Sequence, residues 1–146
     1  MGGYSLNLNK KANECLENND YAKALEYLGE AVRLSKNVQS LNNLAWMYYS
    51  EEGEDEKALE LIKEALSFNP KSYFPYNLLG EIYTKQEKWS LASDVLQKSI
   101  SIHPSKEAFQ NLAVAKYHLG ELEEAADLFS LVVGDSDYNL FSYVQC

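Results

Sequence analysis

The stretch from Tyr76 to Pro104, YNLLGEIYTKQEKWSLASDVLQKSISIHP, decides the fold of this 146-residue chain. Its second half places Trp89, Ala92, Val95, Leu96, Ile100 and Ile102 on one stripe of a 3.6-residue period, with polar residues between them. Its first half carries Tyr76, Leu79-Gly80 and Tyr83, and Lys85 to Lys88 breaks the two halves apart. Pro104 closes the unit, because proline cannot continue a helix. The same pattern recurs on either side. Ala24, Ala58 and Ala92 stand 34 residues apart, as do Asn43, Asn77 and Asn111, and Tyr49, Tyr83 and Tyr117. Pro70 and Pro104 keep the same interval. A 34-residue period marks a helical repeat array, in which each unit buries its apolar face only by stacking on the next.

Working outward, the periodicity predicts eight helices, over 5–17, 21–35, 38–50, 55–68, 72–86, 88–101, 105–119 and 122–133. Stripes such as Tyr21, Ala24, Leu25, Leu28, Ala31, Val32 and Leu34 define them. The breakers between them, such as Asn18-Asn19-Asp20 and Gly120-Glu121, suit turns between antiparallel helices. The second unit is expected to carry one extra turn residue, and the fourth to be one residue shorter. Asn69 and His103, each preceding a proline, are expected to be extended.

Composition narrows the function. The net charge is −9, and such a surface repels phosphate backbones, so no nucleic-acid partner is expected. No run approaches the length of a membrane span and no secretion signal is evident, so the chain is expected to be cytoplasmic and to avoid membranes. Two cysteines, Cys15 and Cys146, make no disulfide framework, and neither has metal-ligand spacing to His103 or His118. No Gly-rich phosphate loop, HExxH or supported Cys–His or Ser–His pair is present, so neither an enzyme nor a cofactor or metal is expected. The opening Met1-Gly2-Gly3-Tyr4-Ser5-Leu6 fails the myristoylation pattern and reads as a cloning remnant.

These units resemble the tetratricopeptide repeat (TPR) family. The third matches at Tyr76, Leu79-Gly80, Tyr83, Ala92, Leu96, Ser99 and Pro104, with Gly80 and Ala92 as the small pair at a close helix crossing. The second matches at Leu44-Ala45, Ala58, Ile62, Ala65 and Pro70, and the fourth at Phe109, Leu112-Ala113, Gly120, Ala125, Phe129 and Val132. The first matches at Leu8, Ala12, Cys15, Ala24, Leu28 and Ala31, with Lys36 in place of the closing proline. The resemblance implies an all-α TPR α-α superhelix, a solenoid of about four helix-turn-helix repeats plus a partial C-terminal helix. A single TPR domain is expected over 1–146, with repeats at about 5–37, 38–71, 72–105 and 106–133. Residues 134–146, where Tyr138-Asn139-Leu140-Phe141-Ser142 echoes Tyr76-Asn77-Leu78-Leu79-Gly80, read as a partial fifth repeat or a capping tail.

In this fold the first helix of each pair lines a concave groove. That implies a peptide-binding set of Asn9, Asn13, Asn42, Asn43, Trp46, Tyr49, Phe74, Asn77, Glu81, Gln110, Asn111, Tyr117 and His118. An amide both donates and accepts, so a row of them can hold an extended backbone, with aromatics as apolar anchors. The competing reading makes the Asn residues helix caps or solvated positions, Asn42 and Asn43 above all. Trp46 is balanced between the groove and the core. The carboxylate clamp of some family members is not matched. Asn13 and Asn43 fit its two Asn positions, but Asn9, Phe74 and Leu78 stand where cations are needed.

The function expected is a protein- or peptide-binding adaptor or scaffold module. Two alternatives remain, a peptide-sensing regulatory domain of a larger protein and a structural array self-associating through its terminal helices.

Overall fold

A computed structural model describes residues 2–133, with side chains from residue 7 onward. Among these residues the chain is helical, with no strand. The elements are α1 (Gly2–Glu17), α2 (Tyr21–Leu34), α3 (Val38–Ser50), α4 (Asp55–Leu66), α5 (Phe74–Lys85), α6 (Trp89–Ile102), α7 (Lys106–His118) and α8 (Leu122–Val133). The eight expected helices are present, and the fold class is all-α, of the TPR type. Helix α1 begins earlier than expected, so Gly2 and Gly3 lie within a helix. The partial fifth repeat or capping tail falls outside the described residues.

The chain divides into two compact units, with the boundary between Pro70 and Lys71. In the N-terminal unit α1 packs on α2 and α3 on α4, and α3 also packs on α2 and touches α1. Ala12, Ala24, Leu28, Leu44 and Met47 form one apolar cluster there. The start of α3 is fixed by Asn37, whose side chain accepts from the Ser40 amide while Ser40 Oγ accepts from the Asn37 amide. This reciprocal cap satisfies two donors that a helix start leaves unpaired. Ser40 is fully buried, and its hydroxyl also reaches the Ser35 carbonyl.

The C-terminal unit repeats the plan. Helix α5 packs on α6 and α7 on α8, while α7 also packs on α6 and touches α5. Ala92, Leu96, Ala108, Phe109, Leu112, Ala113, Ala115 and Leu128 form its core. Ser105 caps α7 by accepting the Ala108 amide. Burying Leu96 or Phe109 stabilises this unit by roughly 2–3 kcal/mol each.

The turns inside the hairpins share one device. Asn19, Gly53, Glu87 and Gly120 all have positive φ, at 61°, 67°, 59° and 83°. A left-handed residue ends one helix and lets the next begin within a few residues. The expected extra turn residue appears in Glu51–Glu54, and α8 begins 33 residues after α6 rather than 34. His103 is extended before its proline, as expected. Asn69 is not: its φ is +50°, a left-handed value that asparagine tolerates better than most residues.

Two predictions follow from this packing. A methyl at Gly80 would sit 2.6 Å from Leu96 Cγ, on a side chain with no exposed surface into which to retreat. Gly80→Ala should cost about 1–3 kcal/mol in denaturant unfolding, and Leu96→Ala in the same chain should recover part of that, giving a non-additive double-mutant cycle. In the turns, a left-handed non-glycine residue costs roughly 1–2 kcal/mol before glycine's own entropy is counted. Glu87→Gly should therefore raise stability by up to about 1 kcal/mol, whereas Gly120→Ala should lower it by a similar amount.

Candidate functional site

The buried small residues Ala12, Ala45, Gly80 and Ala113 set the register of the four first helices. Three positions before each stand Asn9, Asn42, Asn77 and Gln110, and one position after stand Asn13, Trp46, Glu81 and Val114. The longer turn of the second hairpin shifts α3 by one residue. The 34-residue arithmetic therefore pairs Asn43 with Asn77, whereas the packing register pairs Asn42 with it.

The amides do not form a single exposed row. Asn9 is buried, and its Oδ1 accepts from Asn43 Nδ2 at 3.4 Å, tying α1 to α3. Asn42 Oδ1 is buried without a partner among the described residues. Asn77 is half-buried and uses both ends of its amide inside the C-terminal unit. Its Oδ1 accepts from Ser99 Oγ at 2.6 Å, and its Nδ2 donates to Ser105 Oγ at 3.5 Å. Asn77 thus joins α5 to α6 and to the cap of α7. Asn111 is half-buried, and Asn13 and Gln110 are exposed. The capping reading is corrected for Asn42 and Asn43, because the cap of α3 is Asn37 and both lie inside the helix.

The aromatics divide more clearly. Trp46 is 41% exposed, so it does not fill the core of the N-terminal unit; Tyr49 beside it is half-buried. Phe74 is 56% exposed and Tyr117 is 57% exposed. Phe74 stacks on Tyr73 at 4.3 Å, and Tyr73 meets the His103 ring at 4.7 Å. His118 lies flat on Trp89 at 4.1 Å, and Tyr117 meets it edge-on at 5.3 Å. The C-terminal unit therefore presents two aromatic–histidine groups, one at each end of α6. Trp89 and Tyr73 were not in the expected set. Trp89 and His118 are 29 residues apart with no motif between them, so only the fold brings them together.

Lys116 stands three residues after Ala113, where α3 and α5 carry Tyr48 and Tyr83 after Ala45 and Gly80, and its side chain is only 12% exposed. It pairs with Glu121 at 2.6 Å and Glu124 at 3.2 Å. The hydrogen bond it donates to Glu121 raises its pKa above the usual lysine value, and burial opposes that rise. Its stem helps line a pocket of about 440 Å³ between α6, α7 and α8, floored by Phe109, Leu112 and Leu128 and rimmed by Glu124 and Asp127. Lys57, over the Tyr48 ring at 5.2 Å, is likewise raised by its bond to Glu54. Among the described residues no three His, Cys, Asp or Glu side chains gather as a metal site. No described helix is long and apolar enough to cross a membrane.

Stacked helical hairpins, closed by left-handed turns and joined through buried small residues, define a helical-repeat protein. Residues 9–73 match the sequence model of the tetratricopeptide repeat family. That stretch, less than half of the 146-residue chain, is of the tetratricopeptide-repeat type. Its fold resembles a double mutant of MamA RS-1, at 21% identity and a TM-score of 0.78, over 91% of this chain and 75% of that one. A crystal structure of MamA matches at 20% identity and 0.78, over 97% of this chain and 81% of that one. The Sgt2 TPR domain from Aspergillus fumigatus matches at 24% and 0.72, over 84% and 83%. Identities this low show the fold alone. No curated protein sequence matches the chain. Folds of this type serve in general as protein–protein interaction modules and are typically not enzymes.

The internal use of Asn77 generates a prediction. Asn77→Ala leaves the buried Ser99 hydroxyl without its acceptor and should cost about 1–3 kcal/mol in thermal or denaturant unfolding. Asn111→Ala, which removes no side-chain hydrogen bond formed among the described residues, should cost about 0.5 kcal/mol or less.

Proposed function

We propose that the chain is an adaptor or scaffold module that binds protein segments, each compact unit presenting its own surface on the first helices of its hairpins. The observation that carries this is the exposure of Trp46, Phe74 and Tyr117, large aromatics on α3, α5 and α7 that the packing of their own units leaves uncovered. Aromatic side chains supply large contact area at low entropic cost and dominate binding energy where they are buried by a partner. Within the C-terminal unit, Phe74 and Tyr117 belong to groups at opposite ends of α6, whose 14 residues rise about 21 Å. An extended segment of about six or seven residues covers that length. Exposed Glu81 and Gln110 supply polar contacts on α5 and α7, and Asn13 does so on α1.

The fixed amides take a different part. Asn9, Asn43 and Asn77 hold helices in register, so the surface is preformed and little ordering is needed on binding. The net charge of −9 favours a neutral or basic segment over an acidic one.

The test compares two baits in a lysate pull-down read by mass spectrometry, the wild-type chain and its Trp46→Ala/Phe74→Ala/Tyr117→Ala variant. The three side chains are exposed, so the variant should keep its circular dichroism and melting behaviour. A partner captured by the wild type and lost by the folded variant is the expected result. A partner held equally by both would place binding on other surfaces, such as the Lys116 pocket or the acidic turn at Glu51–Glu54.

A further inference from the structure

The two units share one plan, and one place in it is filled in the first and open in the second. Counted from the small residues Ala24, Ala45 and Ala58, that place lies beside Val32 on α2, Leu44 and Tyr48 on α3 and Leu61 on α4. Tyr48, Val32 and Leu61 pack there against the cluster that holds Leu44, and Lys57 Nζ covers the Tyr48 ring at 5.2 Å. Counted from Ala92, Ala113 and Ala125, the matching residues are Ile100, Leu112, Lys116 and Leu128, with Glu124 in the position of Lys57. The ring is thus replaced by a lysine, whose ammonium is held by Glu121 and Glu124. Where Tyr48 fills the first unit, the second has a pocket of about 440 Å³, lined by Ile100, Leu112, Leu128 and the Lys116 stem.

We propose that this pocket binds a free arylalkylamine, an aromatic ring joined by a short chain to a protonated amine. The floor selects the ring. Ile100, Leu112 and Leu128 stand where Val32, Leu44 and Leu61 surround a tyrosine ring, and Phe109 offers a further aromatic contact. The volume lies within the range of small-ligand pockets, roughly 300–1,000 Å³. Charge selects the amine. Three carboxylates, Glu121, Glu124 and Asp127, stand against the one ammonium of Lys116. Asp127 forms no ion pair among the described residues, so a cation at the rim meets an uncommitted carboxylate. An anion meets the same carboxylates as repulsion, because Lys116 is already spent on its two glutamates. The site is also separate from the surface that a protein segment would use, since Trp46, Phe74 and Tyr117 do not line it.

The test titrates phenethylamine into the full ¹⁵N-labelled chain and follows its amide signals. Those of Ile100, Leu112 and Leu128 should shift saturably, with a Kd on the order of a millimolar or tighter for so small a ligand. Phenylpropionate keeps the ring and chain but reverses the charge, and should bind at least about tenfold more weakly. Asp127 is exposed, so Asp127→Asn should leave the fold unchanged and weaken phenethylamine about two- to fivefold. Lys116→Tyr puts into α7 the residue that α3 and α5 carry, and should fill the pocket and abolish the shifts. The proposal is overturned by an absence of saturable shifts in the parent chain, or by equal shifts from phenylpropionate. Shifts that persist undiminished in a folded Lys116→Tyr chain overturn it too. So do shifts produced by a capped phenylalanyl-lysine dipeptide but not by the free amine, because the occupant would then be a protein side chain.

Discussion

Every hairpin of this chain buries a pair of small residues, one on each helix: Ala12 with Ala24, Ala45 with Ala58, Gly80 with Ala92, and Ala113 with Ala125. Small side chains let two helix backbones approach closely, and larger neighbours such as Leu28 and Leu96 then interlock across the gap. The rest of the structure depends on this approach. The members of a pair are twelve residues apart in three hairpins and thirteen in the second, where the turn is one residue longer. The turn absorbs the insertion, and the small pair stays together. Packing therefore sets the register, and turn length yields to it.

The same constraint explains how much of the protein could be read in advance. Helices recur because buried positions recur, and the apolar stripe reports them directly, so eight helices and the TPR fold were legible. The amide row was not, because a one-residue shift in α3 is invisible to 34-residue counting. That counting aligns Asn43 with Asn77, and the small residues align Asn42. Periodicity also shows which face of a helix a residue occupies but not what lies opposite. Asn77 meets Ser99 and Ser105 across 22 and 28 residues, and His118 meets Trp89 across 29. Asn69 shows a different limit. The proline rule predicts an extended residue, but the chain leaves α4 through a left-handed turn that asparagine accepts at low cost.

Order and recognition draw on different residues in this fold. The positions that repeat from hairpin to hairpin are largely buried and spent on stacking, as the alanines, Leu96 and the Ser99–Asn77 bond show. A residue committed to holding neighbouring helices cannot also distinguish partners, because changing it would disturb the stack. The positions free to vary are those the stack leaves uncovered: Asn13, Trp46 and Glu81 one residue beyond the small positions, and Phe74 and Tyr117 near helix ends. These differ in chemistry from hairpin to hairpin, amide, indole and carboxylate in turn. A repeat built this way keeps one fold while presenting a surface that is not itself repetitive. In the function proposed above, such a surface would set the direction and register of a bound segment, which a strictly periodic row of amides could not do.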